Sequence, residues 1–232
     1  MDPSPRSDRA GETLGSKREG PDPSMVAEVL AALTYGERRG ATRANESVRL
    51  APDGRARTEQ QHVADRERQN CDLMEARLRE LGGEELTSRF KPFFDAFFEH
   101  TSPSDWLEAQ TFHYVGDAMV SDFADVLVPV VDAVSAEVIK RALGDREGQE
   151  TFALDELTRA LRDNPASRER IRRYAQLIVG EAVTQTGRAL EVADALRALL
   201  GGEDAGKRFV LQLLDRHRQR MDRLGVEPIE SD

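Results

Sequence analysis

RERQNCDLMEARLRELG, Arg66 to Gly82, sets the problem of the fold: its apolar residues recur at helical spacing, and an acid stands among them. Val63, Cys71, Met74, Leu78 and Leu81 form one stripe at steps of three and four. Glu67 and Asn70 lie on that stripe. Burying an unpaired carboxylate costs roughly several kcal/mol. Glu67 therefore calls for a partner: a metal ion, a buried cation or water.

The same period extends over most of the 232 residues. Ser24 is a plausible N-cap for a first helix reaching about Leu50, and APDG (Ala51 to Gly54) breaks it. A second helix runs from about Thr58 to Leu81, stopped by Gly82-Gly83. The segment from Glu84 to His100 carries five phenylalanines, which read as a short helix plugging the core. Ser104 is placed as the N-cap of a third helix, reaching about Val128. A fourth follows from about Ala133 to Arg162, a fifth from Ser167 to Leu200 and a last from about Ala205 to Leu224. Apart from VLVPVV no segment alternates with period two, so the expectation is all-α: an antiparallel four-helix bundle with additional C-terminal helices.

The flanks differ. Residues 1–23 are rich in Pro, Gly, Ser and charge and are expected to be a disordered tail. The helical domain is placed at 24–226, with a short tail at 227–232. Charged residues make up 33% of the chain and its formal net charge is -10, a poor start for holding a phosphate backbone. Cys71 is the lone cysteine, which removes disulfides and thiolate metal clusters and fits a reducing, cytoplasmic setting. No apolar run is long enough to span a bilayer.

More polar residues stand on the apolar stripes. Glu37 falls mid-stripe between Leu33 and Ala41 in the first helix. In the third, His113 and Asp117 lie one turn apart on the face of Trp106, Val120 and Leu127. In the fourth, Arg146 and Gln149 share a face with Ile139, Ala142, Ala153 and Leu157. Inward acids on consecutive long helices are how helical bundles build di-metal centres. Glu37, Glu67, Asp117 and His113 are accordingly the candidate metal ligands. Asp122 and Glu181 are read as inter-helix hydrogen-bonding groups, and His62, His100 and His217 as surface or loop residues. Arg168, Arg170, Arg172 and Arg173 read as a solvated helix face with ion pairs such as Glu169–Arg173.

TYGE (Thr34 to Glu37), HTSPSDWLE (His100 to Glu108), YVGD (Tyr114 to Asp117), SDF (Ser121 to Phe123) and GEAVTQ (Gly180 to Gln185) carry a resemblance. The chain from about Ser24 to Val226 resembles the ferritin-like family of actinobacterial proteins related to the tRNA 2-methylthio-isopentenyladenosine hydroxylase. That resemblance implies a ferritin-like bundle and an ancestral di-iron carboxylate site. It also implies departures from that site. The family's second-helix histidine falls on Asn70, and its fourth-helix acid and histidine fall on Arg146 and Gln149. Asn and Gln offer only neutral oxygens, and Arg146 is a permanent cation where a cation would bind. A one-residue shift in the fourth helix would instead turn Glu147 and Glu150 inward.

Two readings follow. One is a ferritin-like bundle with a degenerate di-iron site and no cofactor, acting as an interaction or structural protein, as a homo-oligomer or with a protein partner. Arg146 then pairs with the buried acids. The other is a non-haem di-iron or manganese oxygenase, for which tRNA as substrate rests on the resemblance alone.

Overall fold

The computed structural model describes residues 20–144, 146–199 and 201–226. Among these every regular element is helical. Of the tail placed at 1–23, residues 1–19 lie outside the described residues, as does 227–232, while Asp22 caps the first helix and Pro23 begins it.

Helices α1 (Pro23–Ser47) and α2 (Gly54–Glu80) form an antiparallel hairpin. A crossover carrying α3 (Thr87–His100) leads to a second pair. Its first arm is α4 (Trp106–Phe112), a π-helical turn (His113–Asp117) and α5 (Ala118–Leu127). Its second arm is α6 (Ala133–Leu143) followed by α7 (Glu147–Asp163). These two hairpins make the bundle, with α2 against α6 and α4 against α7. One crossover between hairpins is the ferritin-like connection. Outside it, α8 (Ser167–Val192) packs on α3 and α4, α9 (Asp194–Leu199) on α1, and α10 (Glu203–Leu224) on α5 and α7.

The expected helices are present, with four corrections. The first concerns the cap of α1, which is Asp22, whose carboxylate accepts from Ser24 N at 2.8 Å, rather than Ser24. The second is similar: Asp105, not Ser104, caps α4, accepting from Glu108 N at 3.1 Å. Glu108 reaches back to accept from Ser104 N at 2.7 Å, so the two acids together hold the helix start one residue later than expected. Third, the fourth helix is two helices, interrupted between Leu143 and Glu147 where Gly144 and Gly148 bracket a charged run. Fourth, the fifth helix ends at Val192, because Ala193 leaves helical geometry and starts α9.

The apolar core has two large parts. Val26, Leu30, Met74, Leu78, Leu127 and Ile139 pack at one end, and Phe98, Phe112, Tyr114, Leu157, Ile171 and Ile178 at the other. Glu37 and Glu67 are buried in the interior without belonging to either part. At the end of α3 the buried guanidinium of Arg43 donates to Thr101 O at 2.7 Å and to Phe98 O. It thus satisfies carbonyls that the helix terminus leaves open.

The capping assignment is directly testable. Asp105→Ala is expected to lower the unfolding free energy by about 1–2 kcal/mol in urea denaturation, and Ser104→Ala by less than about 0.5 kcal/mol.

Candidate functional site

Four of the residues singled out from the sequence meet in the interior. Glu37 comes from α1, Glu67 from α2, Asp117 from the π turn, and Arg146 from the residue just before α7. The interruption of the fourth helix is what delivers Arg146: as the N-cap residue of α7, at φ -109° and ψ 5°, it sends its side chain inward. A helix N-terminus disfavours a cation. The compensation for this buried charge therefore comes from other helices.

The guanidinium forks onto Glu67, with Nη1 donating to Oε1 at 3.0 Å and Nη2 to Oε2 at 3.3 Å. Nη2 also donates to Glu37 Oε1 at 2.7 Å. All three residues are buried: Glu37 and Glu67 are 2% exposed and Arg146 7%. Charge-assisted bonds of this forked kind are among the stronger ones available to side chains. Burial alone would lower the Arg146 guanidinium, but Glu37, Glu67 and Asp117 outweigh it and hold it above its ordinary value.

One cation among three acids leaves an excess of negative charge. Burial pushes the Glu37 carboxyl well above the usual carboxylate range; Arg146 opposes that rise, and Glu67 and Asp117 add to it. Glu37 Oε2 finds no donor among the described residues.

His113 and Asp117 hold each other one turn apart. His113 Nδ1 donates to Asp117 Oδ2 at 2.8 Å, and Gln149 Nε2 donates to the same oxygen. On the other edge of the ring, Gln60 Nε2 lies 3.1 Å from His113 Nε2 and 3.2 Å from Ala44 O. A nitrogen placed beside a carbonyl is a donor, so His113 Nε2 accepts from it. Both ring nitrogens are engaged within the protein. Asn70 is buried on the face of α2 that carries Glu67.

Beside Asp117 lies a polar cavity of about 160 Å³, lined by Ser121, Arg146, Gln149 and Arg220 among others. Gln149 Oε1 and Arg220 Nη1 lack partners among the described residues. A cavity of that size has room for water.

Glu150 is part-exposed at the edge of that cavity and pairs with Arg223 at 3.2 Å, while Arg146 and Gln149 are buried and hold the inward face; the side chain of Glu147 lies outside what is described. Asp122 ties Arg216 (2.7 Å) and Arg220 (2.6 Å) of α10 to α5, as an inter-helix group should. Glu181 pairs with exposed His100, and His62 is exposed. His217 is a correction: it is buried at 6% exposure, and burial with Arg220 and Arg218 nearby pushes it down to about 4. Its ring turns to the buried side of α10, with Leu213, Met221 and Leu224. Glu169 pairs with Arg172 and Arg173 on a solvated face, as expected. Sequence reasoning missed Glu28, which is buried, pairs with Arg89 at 2.6 Å and accepts from Ala195 N at 3.2 Å at the start of α9. Its place beside Val26 and Leu30 was the available signal.

The family described as the ferritin-like domain of actinomycetes matches residues 22–203. The chain belongs to that family. The description names a fold and no activity. No curated protein matches the chain. A ferritin-like domain implies a carboxylate-bridged pair of metal ions, and the donor set here fits one poorly. The guanidinium of Arg146 fills the space between Glu37 and Glu67, and the ring nitrogens of His113 are committed to Asp117 and Gln60. Among the described residues no three or more His, Cys, Asp or Glu side chains gather as a metal cluster. Cys71 is also unsuited, since burial, with Glu75 beside it, pushes its thiol up to about 12.

Arg146→Met is expected to cost about 3–5 kcal/mol of stability at pH 7 in guanidinium denaturation, because two buried carboxyls lose their cation. Adding Glu37→Gln and Glu67→Gln should return most of that loss. The raised native value of Glu37 also fixes a pH dependence. Native Glu37 keeps its proton at pH values where unfolded Glu37 has lost it. Its contribution is therefore complete at low pH and declines as pH rises from the ordinary carboxylate range through the native value. Unfolding curves from pH 4 to pH 8 should show that decline in the wild type and a flatter dependence in Glu37→Gln.

Proposed function

We propose that this ferritin-like bundle works without a metal, as an interaction or structural protein in which Arg146 supplies the charge that iron supplies in a di-iron relative. The observation that carries the reading is the Arg146 fork on Glu67 with its third bond to Glu37. A permanent cation held in that position opposes a divalent ion electrostatically and occupies its coordination space. The network gives Glu37 and Glu67 a cationic partner without a metal, and it ties the second hairpin to the first.

The rival reading is a di-iron or manganese oxygenase related to tRNA-modifying hydroxylases. Its support is the resemblance carried by TSPSDWLE and YVGD, together with the convergence of Glu37, Glu67 and Asp117. The formal net charge of -10 weighs against a polyanionic substrate. No helix among the described residues is long and apolar enough to cross a membrane.

Anaerobic reconstitution with excess ferrous iron, desalting and elemental analysis separates the two. The expected result is the same background iron in the wild type and in a Glu37→Ala, Glu67→Ala variant. Stoichiometric iron in the wild type, lost in the variant, would overturn the metal-free reading and favour the oxygenase one.

A further inference from the structure

A second hollow lies on the other side of the π turn. It measures about 130 Å³ and is walled by α1, α3, α5, α8, α9 and α10. Six of the nine phenylalanines of the chain line it: Phe90, Phe93, Phe94, Phe97, Phe123 and Phe209. The sequence pattern made the phenylalanines of α3 a plug for the core. Phe90 and Phe98 are buried as a plug requires, but Phe93, Phe94 and Phe97 remain part-exposed because they face this hollow.

The hollow is a consequence of small residues set opposite the rings. Ala32 and Gly36 on α1, Gly116 on the π turn and Ala189 on α8 line it where larger side chains would close it. At Gly36 the approach is extreme: a Cβ there would stand 2.8 Å from Phe94 Cε1. The ring of Phe94 lies on the bare backbone of α1, and any side chain at 36 would drive it into the hollow.

The chemistry of the wall is one-sided. In a chain with 33% charged residues, no charged side chain among the described residues lines this recess. Its polar side chains are Gln185 and Thr186, and the amide nitrogen of Gln185 already donates to Glu181 Oε1 at 3.0 Å. An ionised ligand entering here would lose its hydration with nothing to replace it. An apolar one would gain the burial and aromatic contact the wall offers. The volume is close to that of the roughly 150 Å³ apolar cavities that stay dry and admit benzene.

We infer that this recess is a binding site for an uncharged hydrophobic group of single-ring aromatic size. The site shares no side chain with the Arg146 network, so it stands whether or not the bundle takes up metal. Iron uptake would overturn the metal-free reading and leave this one intact.

The test titrates the full chain with toluene, and separately with benzoate, by calorimetry and ligand-observed NMR. Two filling variants approach from opposite walls, Ala189→Leu from α8 and Ala32→Leu from α1. Toluene is expected to bind the wild type saturably at one per chain, with benzoate at least about tenfold weaker. Each filling variant that folds should lose toluene binding, with a melting temperature not below that of the wild type for Ala189→Leu. The absence of saturable toluene binding by the wild type would overturn the inference. So would undiminished binding in both folded variants, or benzoate binding as tightly as toluene.

Discussion

A buried guanidinium shared by two carboxylates is the constraint around which this bundle is arranged. Arg146 reaches Glu37 and Glu67 from the start of α7, so one side chain ties the second hairpin to both helices of the first. Neither acid is tolerable in that interior alone, and neither is the arginine. The three positions are therefore interdependent in a way the apolar contacts around them are not. Replacing one apolar residue in the core leaves a cavity; removing Arg146 leaves two buried acids without their cation.

Several secondary features follow from that trio. The interruption between α6 and α7 places Arg146 at a helix start, where its backbone can turn the side chain inward. The π turn sets Asp117 beside the network, held by His113 and Gln149. π turns inside α-helices recur at functional sites, and here one separates two hollows of opposite character. On one side is a polar cavity bordered by Asp117 and Arg146, and on the other a phenylalanine-walled recess bordered by Gly116. Glu37, Glu67 and Arg146 bond one another on the polar side, while the apolar recess remains open.

Helical periodicity alone exposed much of this arrangement. Glu37, Glu67, Asp117 and Arg146 were visible as polar residues on apolar stripes, because a buried charge interrupts a pattern that nothing else interrupts. The choice between Arg146 and the Glu147/Glu150 pair was not visible, since the stripe continues across a helix break that shifts the phase. The π turn left no trace, because Gln110, His113, Asp117 and Val120 keep steps of three and four across it. His217 was misplaced for a related reason: arginines dominate the composition of α10 and obscure its buried side. The recess was illegible because a row of phenylalanines at helical spacing looks the same whether it meets large residues or, as here, alanine and glycine on three other elements.

The account stands on Arg146 acting as the resident counter-ion of the site. Its most direct test is the urea unfolding midpoint of the wild-type chain, measured anaerobically in a strong chelator and again with excess ferrous or manganous ion. A metal bound by the native state must raise the midpoint by mass action. The account predicts the same midpoint in all three solutions. A midpoint that rises with metal and falls with chelator would contradict it, and would mean that Arg146 yields its place to an ion.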